Sequence, residues 1–173
     1  MIKANSFVLR TVSEADLPTL HAHQTNIANR GSHLGIDIPS ETEIRKRFHE
    51  DGYWGLDNGQ LLIVNNEGAL IGQIWFFKPS YWNGYELGYL IYDVNERGKG
   101  VITEATRLLV RYLFDTKLVN RIQLCIHPDN KASRRVAEKC GFTHEGMARG
   151  VWFNRGKHEP LEIYSILRHE VID

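Results

Sequence analysis

Gly98 and Gly100 stand one residue apart between an apolar run, Leu87 to Tyr92, and a helix-period pattern carried by Ala105, Leu108, Leu109, Tyr112 and Leu113. That order predicts a strand, a glycine-bearing loop and a helix start. Two glycines keep Cβ atoms away from the chain, and first-turn N–H groups have no acceptor within the helix, so successive donors converge on whatever lies in the loop. Asn95 to Ala105 therefore reads as an anion site with a pyrophosphate as its natural occupant. The same residues also suit an ordinary tight turn with Arg97 and Lys99 exposed. Two better known phosphate loops do not fit. A Walker loop needs Ser or Thr after its lysine, where Gly100 follows Lys99, and the dinucleotide fingerprint needs a third glycine where Thr103 stands.

The rest of the chain supplies a sheet for this junction. Phe7 to Arg10 reads as a strand, and Ser13 with Asp16 as a helix start whose apolar side holds Leu17, Leu20 and Ile27. Asn29 to Ser40 has no clean period and reads as a loop; Ser40 then caps a helix from Glu41 to Glu50 with Ile44 and Phe48 on one side. Strands are expected at Gln60 to Asn65, Leu70 to Phe77 and Tyr85 to Ile91, joined by hairpin chemistry at Asn65 to Gly68 and Tyr81 to Gly84. After the central helix come a strand, Arg121 to Ile126, a short helix, Ala132 to Lys139, closed by Gly141, and a last pair of strands, Thr143 to Trp152 and Leu161 to Leu167. A mixed sheet in a single α/β domain over residues 1–173 follows.

Charge and cysteine content narrow the partners. With 21 Lys and Arg against 21 Asp and Glu, the chain lacks the cationic excess that a nucleic-acid partner needs. Cys125 and Cys140 alone suggest a reducing compartment, the eight histidines show no metal-ligand spacing, and no run is long enough to span a membrane. A start without the apolar core of a signal peptide adds to the expectation of a cytoplasmic protein. A homodimer is left open.

Four pieces in order and spacing resemble the GCN5-related N-acetyltransferases (GNAT) of the RimJ/RimL-like branch: the loop Arg97, Gly100 and Ile102; Glu86-Leu87-Gly88-Tyr89; Asn130-Lys131-Ala132-Ser133; and Glu138-Lys139-Cys140-Gly141-Phe142. Ile102 departs from the small residue usual there, so its side chain must point into the core while its amide still donates. The resemblance implies a mostly antiparallel mixed sheet flanked by helices, with splayed central strands, and acetyl-CoA as the cofactor. It further implies that Arg97, Gly98, Lys99, Gly100, Val101, Ile102 and Thr103 hold the pyrophosphate through main-chain N–H groups. Main-chain groups of Leu90, Ile91 and Tyr92 would bind the pantetheine arm and present an oxyanion donor.

Asn130 would bond the pantetheine, although it equally suits a helix cap, and Ser133 would serve the departing thiolate. Glu86 is the base expected from the resemblance, acting through water; it also reads as a strand carboxylate facing solvent or an arginine. The acceptor implied is a primary amine attacking directly in a ternary complex, a protein N-terminus first and a small-molecule amine second. An α-amine with a pKa near about 8 is roughly a tenth neutral at pH 7 and demands little help, whereas a lysine near about 10.4 demands much. A non-catalytic acetyl-CoA-binding module is the rival from another class. His127 reads as a structural histidine or a relay. Trp75, Trp82, Tyr89, Trp152 and Tyr164 read as core or as an aromatic acceptor wall, and a tryptophan at 152, where ribosomal members place a carboxylate, speaks against a ribosomal-protein substrate.

Overall fold

In a computed structural model of the protein, residues 1–81 and 83–171 are described. Twelve elements run β1 (Ile2–Lys3), β2 (Phe7–Thr11), α1 (Leu17–Thr25), α2 (Glu41–Asp51), β3 (Asn58–Asn65), β4 (Leu70–Phe77), β5 (Tyr85–Ile91), α3 (Val101–Thr116), β6 (Arg121–Ile126), α4 (Lys131–Lys139), β7 (Thr143–Asn154) and β8 (Lys157–Leu167). The strands form one sheet in the order β1-β2-β3-β4-β5-β6-β8-β7. Every neighbouring pair is antiparallel except β5 and β6, which are parallel and need the α3 crossover between them. This is the mixed, mostly antiparallel α/β sheet expected.

Strand alternation sorts the apolar residues into two cores. Leu61 and Ile63 of β3 join α3 and the central strands in the larger one, while Leu62 and Val64 face α1 and α2 with Leu17, Leu20, Ile44 and Tyr53. Buried on both faces, β3 reads as a continuous apolar run, whereas β5 alternates. Its Tyr85, Leu87 and Ile91 sit in the larger core, leaving Glu86, Gly88 and Leu90 on the opposite face. Helix α3 buries Val101, Ala105, Leu109, Val110 and Leu113, a one-sided stripe, and each fully buried leucine contributes about 1.5–3 kcal/mol.

Several local signals read from the residues reappear in the backbone. The Ser40 side chain accepts from the Glu43 N–H at 3.1 Å, and Gly68, with φ of +84°, closes the β3–β4 turn. Helix α1 departs from expectation at both ends. It ends at Thr25, so Ile27 lies in a separate turn at Ile27–Arg30, and its entry is a single turn at Glu14–Asp16. The short β1 was not foreseen, and the Trp82 half of the Tyr81 to Gly84 turn lies outside the described residues. Among the described residues no helix is long and apolar enough to cross a membrane.

Sheet and α1 are tied together at Asp16. Its carboxylate receives both Arg10 Nη atoms at 2.7 Å and the Ser13 N–H at 2.8 Å. The Arg10 guanidinium, opposed in part by burial and helped by Ser13, holds the acid down at about 2. A carboxylate whose folded-state pKa is depressed stabilises the fold above its ordinary value near about 4 and loses that contribution as pH falls towards 2. Thermal melts between pH 5 and 2 should therefore show a decline in midpoint that Asp16→Asn lacks; parallel curves for the two proteins would refute the assignment.

Candidate active site

The parallel pairing of β5 with β6 extends only over Tyr85–Ile122 and Glu86–Gln123. Beyond it β5 stays on β4 as far as Ile91–Gly72, and β6 stays on β8 as far as Ile126–Glu162, so the two strands part and a gap opens at Leu87. The Tyr92 N–H donates to the Ile71 carbonyl at 2.8 Å, which marks the hydrogen-bonded pairs of the β4–β5 ladder. Alternation then turns the main-chain groups of Gly88 and Leu90 to β4 and those of Tyr89 and Ile91 into the gap. Two expectations are corrected here: the main-chain donors of Leu90 and Tyr92 are engaged in the sheet. Tyr89, read only as an aromatic, supplies a gap-facing N–H that the local sequence could not reveal.

At the end of β5 the chain turns through Val94–Glu96 and reaches α3 by two left-handed glycines, Gly98 with φ of +79° and Gly100 with φ of +84°. A Cβ on Gly100 would meet nothing within 4 Å, so glycine is required by backbone conformation rather than space. The bond from Glu104 N–H to Gly100 C=O, at 3.0 Å, opens the helical ladder. The amides of Val101, Ile102 and Thr103 precede it and have no acceptor within the helix, and the helix dipole adds about 0.3–1 kcal/mol for an anion there. Ile102 packs in part against the core and also lines the cleft. Arg97 departs from expectation. The Arg97 N–H is engaged with the Val94 carbonyl at 3.2 Å, its guanidinium clasps the carbonyls of Ile91 and Asn29 at 3.0 and 2.9 Å, and the Lys99 ammonium pairs with Glu96 at 3.0 Å.

The gap and the cradle open into one cleft of about 700 Å³. On one flank Glu86 Oε2 accepts from Gln123 Nε2 at 2.8 Å and from the Cys125 thiol at 3.4 Å. Its Oε1 has no hydrogen-bond partner among the described residues. Burial, then the Glu86 charge, push the Cys125 thiol up to about 12, so it is a protonated donor and a poor nucleophile. Burial likewise raises Cys140 to about 11, and its thiol donates to the Thr103 carbonyl at 3.4 Å.

On the other flank Asn130 caps α4, its Oδ1 accepting from the Ser133 N–H at 3.1 Å. Ser133 Oγ lies 2.6 Å from the Tyr89 hydroxyl, whose proton is held firmly because burial raises its pKa well above the ordinary phenol value. Tyr89, Gln123 and Cys125 are the site residues that sequence reading missed as such. Register alone brings them to Ser133 and Glu86.

Trp75, Tyr89 and Trp152 line the cleft as an aromatic wall, whereas Tyr164 is 3% exposed and bonds Glu162, which places it in the core. Trp82 lies outside the described residues. His127 also lines the cleft; its Nδ1 accepts from the Asp129 N–H at 3.1 Å and its ring stacks on His33 with centroids 5.0 Å apart. Among the described residues no group of three or more His, Cys, Asp or Glu side chains is placed to hold a metal ion.

Comparison with known proteins follows the same lines. Residues 6–143 match the acetyltransferase (GNAT) domain. The Bacillus subtilis protein YdaF is 39% identical over 105 residues, 60% of this chain and 57% of YdaF, so the chain spans little more than half of that relative. The ribosomal-protein-serine acetyltransferase of Escherichia coli is 26% identical over 135 residues, covering 74% of this chain and 72% of the relative. The fold is that of the Vibrio cholerae spermidine N-acetyltransferase solved with CoA and spermine, with a TM-score of 0.82, 19% identity and coverage of 96% and 98%.

Gly100→Val must place a β-branched side chain at a positive φ and so distort the first turn of α3. Calorimetry should show coenzyme A binding lost; wild-type affinity in a folded variant would remove the loop from the site.

Proposed function

The chain belongs to the GNAT acetyltransferase family, and on that premise we propose that it transfers the acetyl group of acetyl-CoA to a primary amine, first of all the α-amine of a protein N-terminus. The parting of β5 from β6 beside the cradle at Val101–Thr103 is the observation that carries this reading. The cradle fits the carrier: adjacent unengaged amides suit a diphosphate, and the gap offers main-chain donors to an extended, amide-bearing arm. All eight strands share one sheet, which supports a single acetyltransferase domain over residues 1–173.

Acetyl-CoA, when bound, supplies an activated thioester; the chain does the rest by position and proton control. The amides of Val101, Ile102 and Thr103 hold the diphosphate, with Gly98 and Gly100 shaping their approach. The gap-facing N–H groups of Tyr89 and Ile91 serve the arm and the thioester carbonyl, where a fixed donor favours developing negative charge. The open Oε1 of Glu86 receives the proton of the incoming ammonium, directly or through water, while Gln123 and Cys125 keep the other oxygen fixed. Nitrogen bonds to the acetyl carbon as the carbon–sulfur bond breaks. The Ser133 hydroxyl, oriented by Tyr89, then supplies a hydrogen bond or relayed proton to the departing sulfur.

A protein N-terminus is supported by the modest demand an α-amine makes on its base, and by the sequence relative that acetylates a ribosomal-protein serine. A small-molecule amine is the second reading, supported by the aromatic wall of Trp75 and Trp152 and by the fold neighbour solved with spermine.

Thiol release from acetyl-CoA should depend on added amine, with a serine- or alanine-initiated peptide outrunning spermidine. Tight binding of acetyl-CoA with no amine-dependent release would instead make the protein a non-catalytic binder. Glu86→Gln should lower kcat by about 10² and Ser133→Ala by about tenfold, with acetyl-CoA affinity little changed in either. Wild-type turnover in one of them would discard that residue's role.

A further inference from the structure

A second chamber of about 270 Å³ lies beside the cleft and shares Arg30, Leu34, Gly35, Trp75 and Leu90 with it. Its inner wall is Gln60 and Gln73, 4% and 8% exposed. Gln73 Oε1 accepts from the Tyr92 hydroxyl at 2.6 Å and from Gln60 Nε2 at 2.9 Å, which fixes both amides. The remaining atoms, Gln73 Nε2 and Gln60 Oε1, have no hydrogen-bond partner among the described residues. So the wall of the cavity carries two largely buried side chains, each with one amide atom unengaged among the described residues.

Cationic groups surround this pair. Arg30 lines the chamber with its guanidinium held by the carbonyls of Gly35 and Gln24. Arg47 stands at the rim over the Tyr53 ring, 4.6 Å from its centroid, and no ion pair engages it among the described residues. Among the described residues no Asp or Glu lines the chamber. A polyamine needs carboxylates along its length, and a second ammonium here would meet only guanidinium and amide groups. A carboxamide or carboxylate suits all of them: its oxygen accepts from Gln73 Nε2, a neighbouring N–H donates to Gln60 Oε1, and Arg47 favours the negative end.

We propose that this chamber reads a main-chain peptide group of the amine acceptor about three to four residues beyond its amine, a reach set by the roughly 13 Å of strand between Glu86 and Leu90, selecting a protein N-terminus and rejecting polyamines. The proposal rests on the acetyltransferase reading for what happens to the amine, but occupancy of the chamber is measurable without transfer. Cross-strand pairing sets Gln73 opposite Leu90, Trp75 opposite Gly88 and Phe77 opposite Glu86, so the Trp75 indole stands between the Glu86 carboxylate and the chamber. An acceptor with its amine towards Glu86 passes this ring to reach Gln73.

The Trp75 indole N–H, assigned by Trp75→Phe in ¹⁵N-labelled protein saturated with coenzyme A, is therefore the reporter. Titration with tetra-alanine amide should shift it, and spermidine should leave it in place. Gln73→Glu keeps the size and both accepted hydrogen bonds but replaces the donor with a carboxylate. It should weaken the peptide roughly tenfold and admit spermidine, and Arg47→Gln, at an exposed position, should weaken the peptide several-fold. A wild-type shift with spermidine, no shift with the peptide, or wild-type peptide affinity in both variants would overturn the proposal. Peptide binding without thiol release would leave the chamber standing and remove the acetyltransferase reading. Peptide acetylation with an unmoved indole would do the reverse.

Discussion

Everything in the site depends on a sheet that stops pairing in its middle. An unpartnered buried polar group costs about 1–3 kcal/mol, so a fold that parts two central strands must either satisfy the exposed main chain or reserve it for a ligand. Both happen on β5. The Ile91 carbonyl is covered by the Arg97 guanidinium, while the N–H groups of Tyr89 and Ile91 face the gap. Separation is sustained because each strand keeps its other neighbour, β4 for β5 and β8 for β6, and because α3 packs its apolar stripe beneath them. The opening is held by the sheet on both sides.

Polar side chains around this gap share a pattern: one atom is engaged by the protein and another is left open. Glu86 has Oε2 held and Oε1 open, Asn130 has Oδ1 on the Ser133 amide, and Gln73 has Oε1 held and Nε2 open. Holding one atom fixes orientation before any ligand arrives, which reduces the ordering that binding would otherwise require. Cys125 belongs to the same arrangement. A thiol whose proton is retained by burial donates to Glu86 and accepts from Gln123, so the one cysteine on this flank acts as a hydrogen-bond partner rather than a reactive group.

What could be read in the sequence was what local chemistry determines. Gly98 and Gly100, the Ser40 cap and the Asn65 to Gly68 turn declare themselves within a few residues, because left-handed backbone and helix starts are decided there. Roles that depend on register were hidden. Whether the Tyr92 amide faces a ligand or Ile71 is a question of strand alternation, and Tyr89 meets Ser133 across 44 residues of chain. Arg97 misled for a related reason. In the loop motif its main-chain N–H looks like a pyrophosphate donor, yet the turn at Val94 engages that amide, while the guanidinium takes the carbonyls of Asn29, 68 residues earlier, and Ile91. Tyr164 could not be assigned to wall or core until β8 was placed.

Gly88 shows how far the side-chain pattern depends on one missing atom. A Cβ there would stand 2.3 Å from the Trp75 indole, too close to coexist, so the ring lies flat over this position only because nothing projects from it. Four residue steps of β5 take Glu86 to Leu90, about 13 Å along the strand, and the indole fills the middle of that span. It divides the face of the sheet into a compartment with a carboxylate and one with amides and guanidinium groups. With the ring displaced, the two would merge, and an amine would find the Glu86 charge and the Gln73 donor in one undivided space. Proton removal and acceptor selection ask for opposite electrostatics, and here a single aromatic ring, admitted by a glycine, keeps them apart.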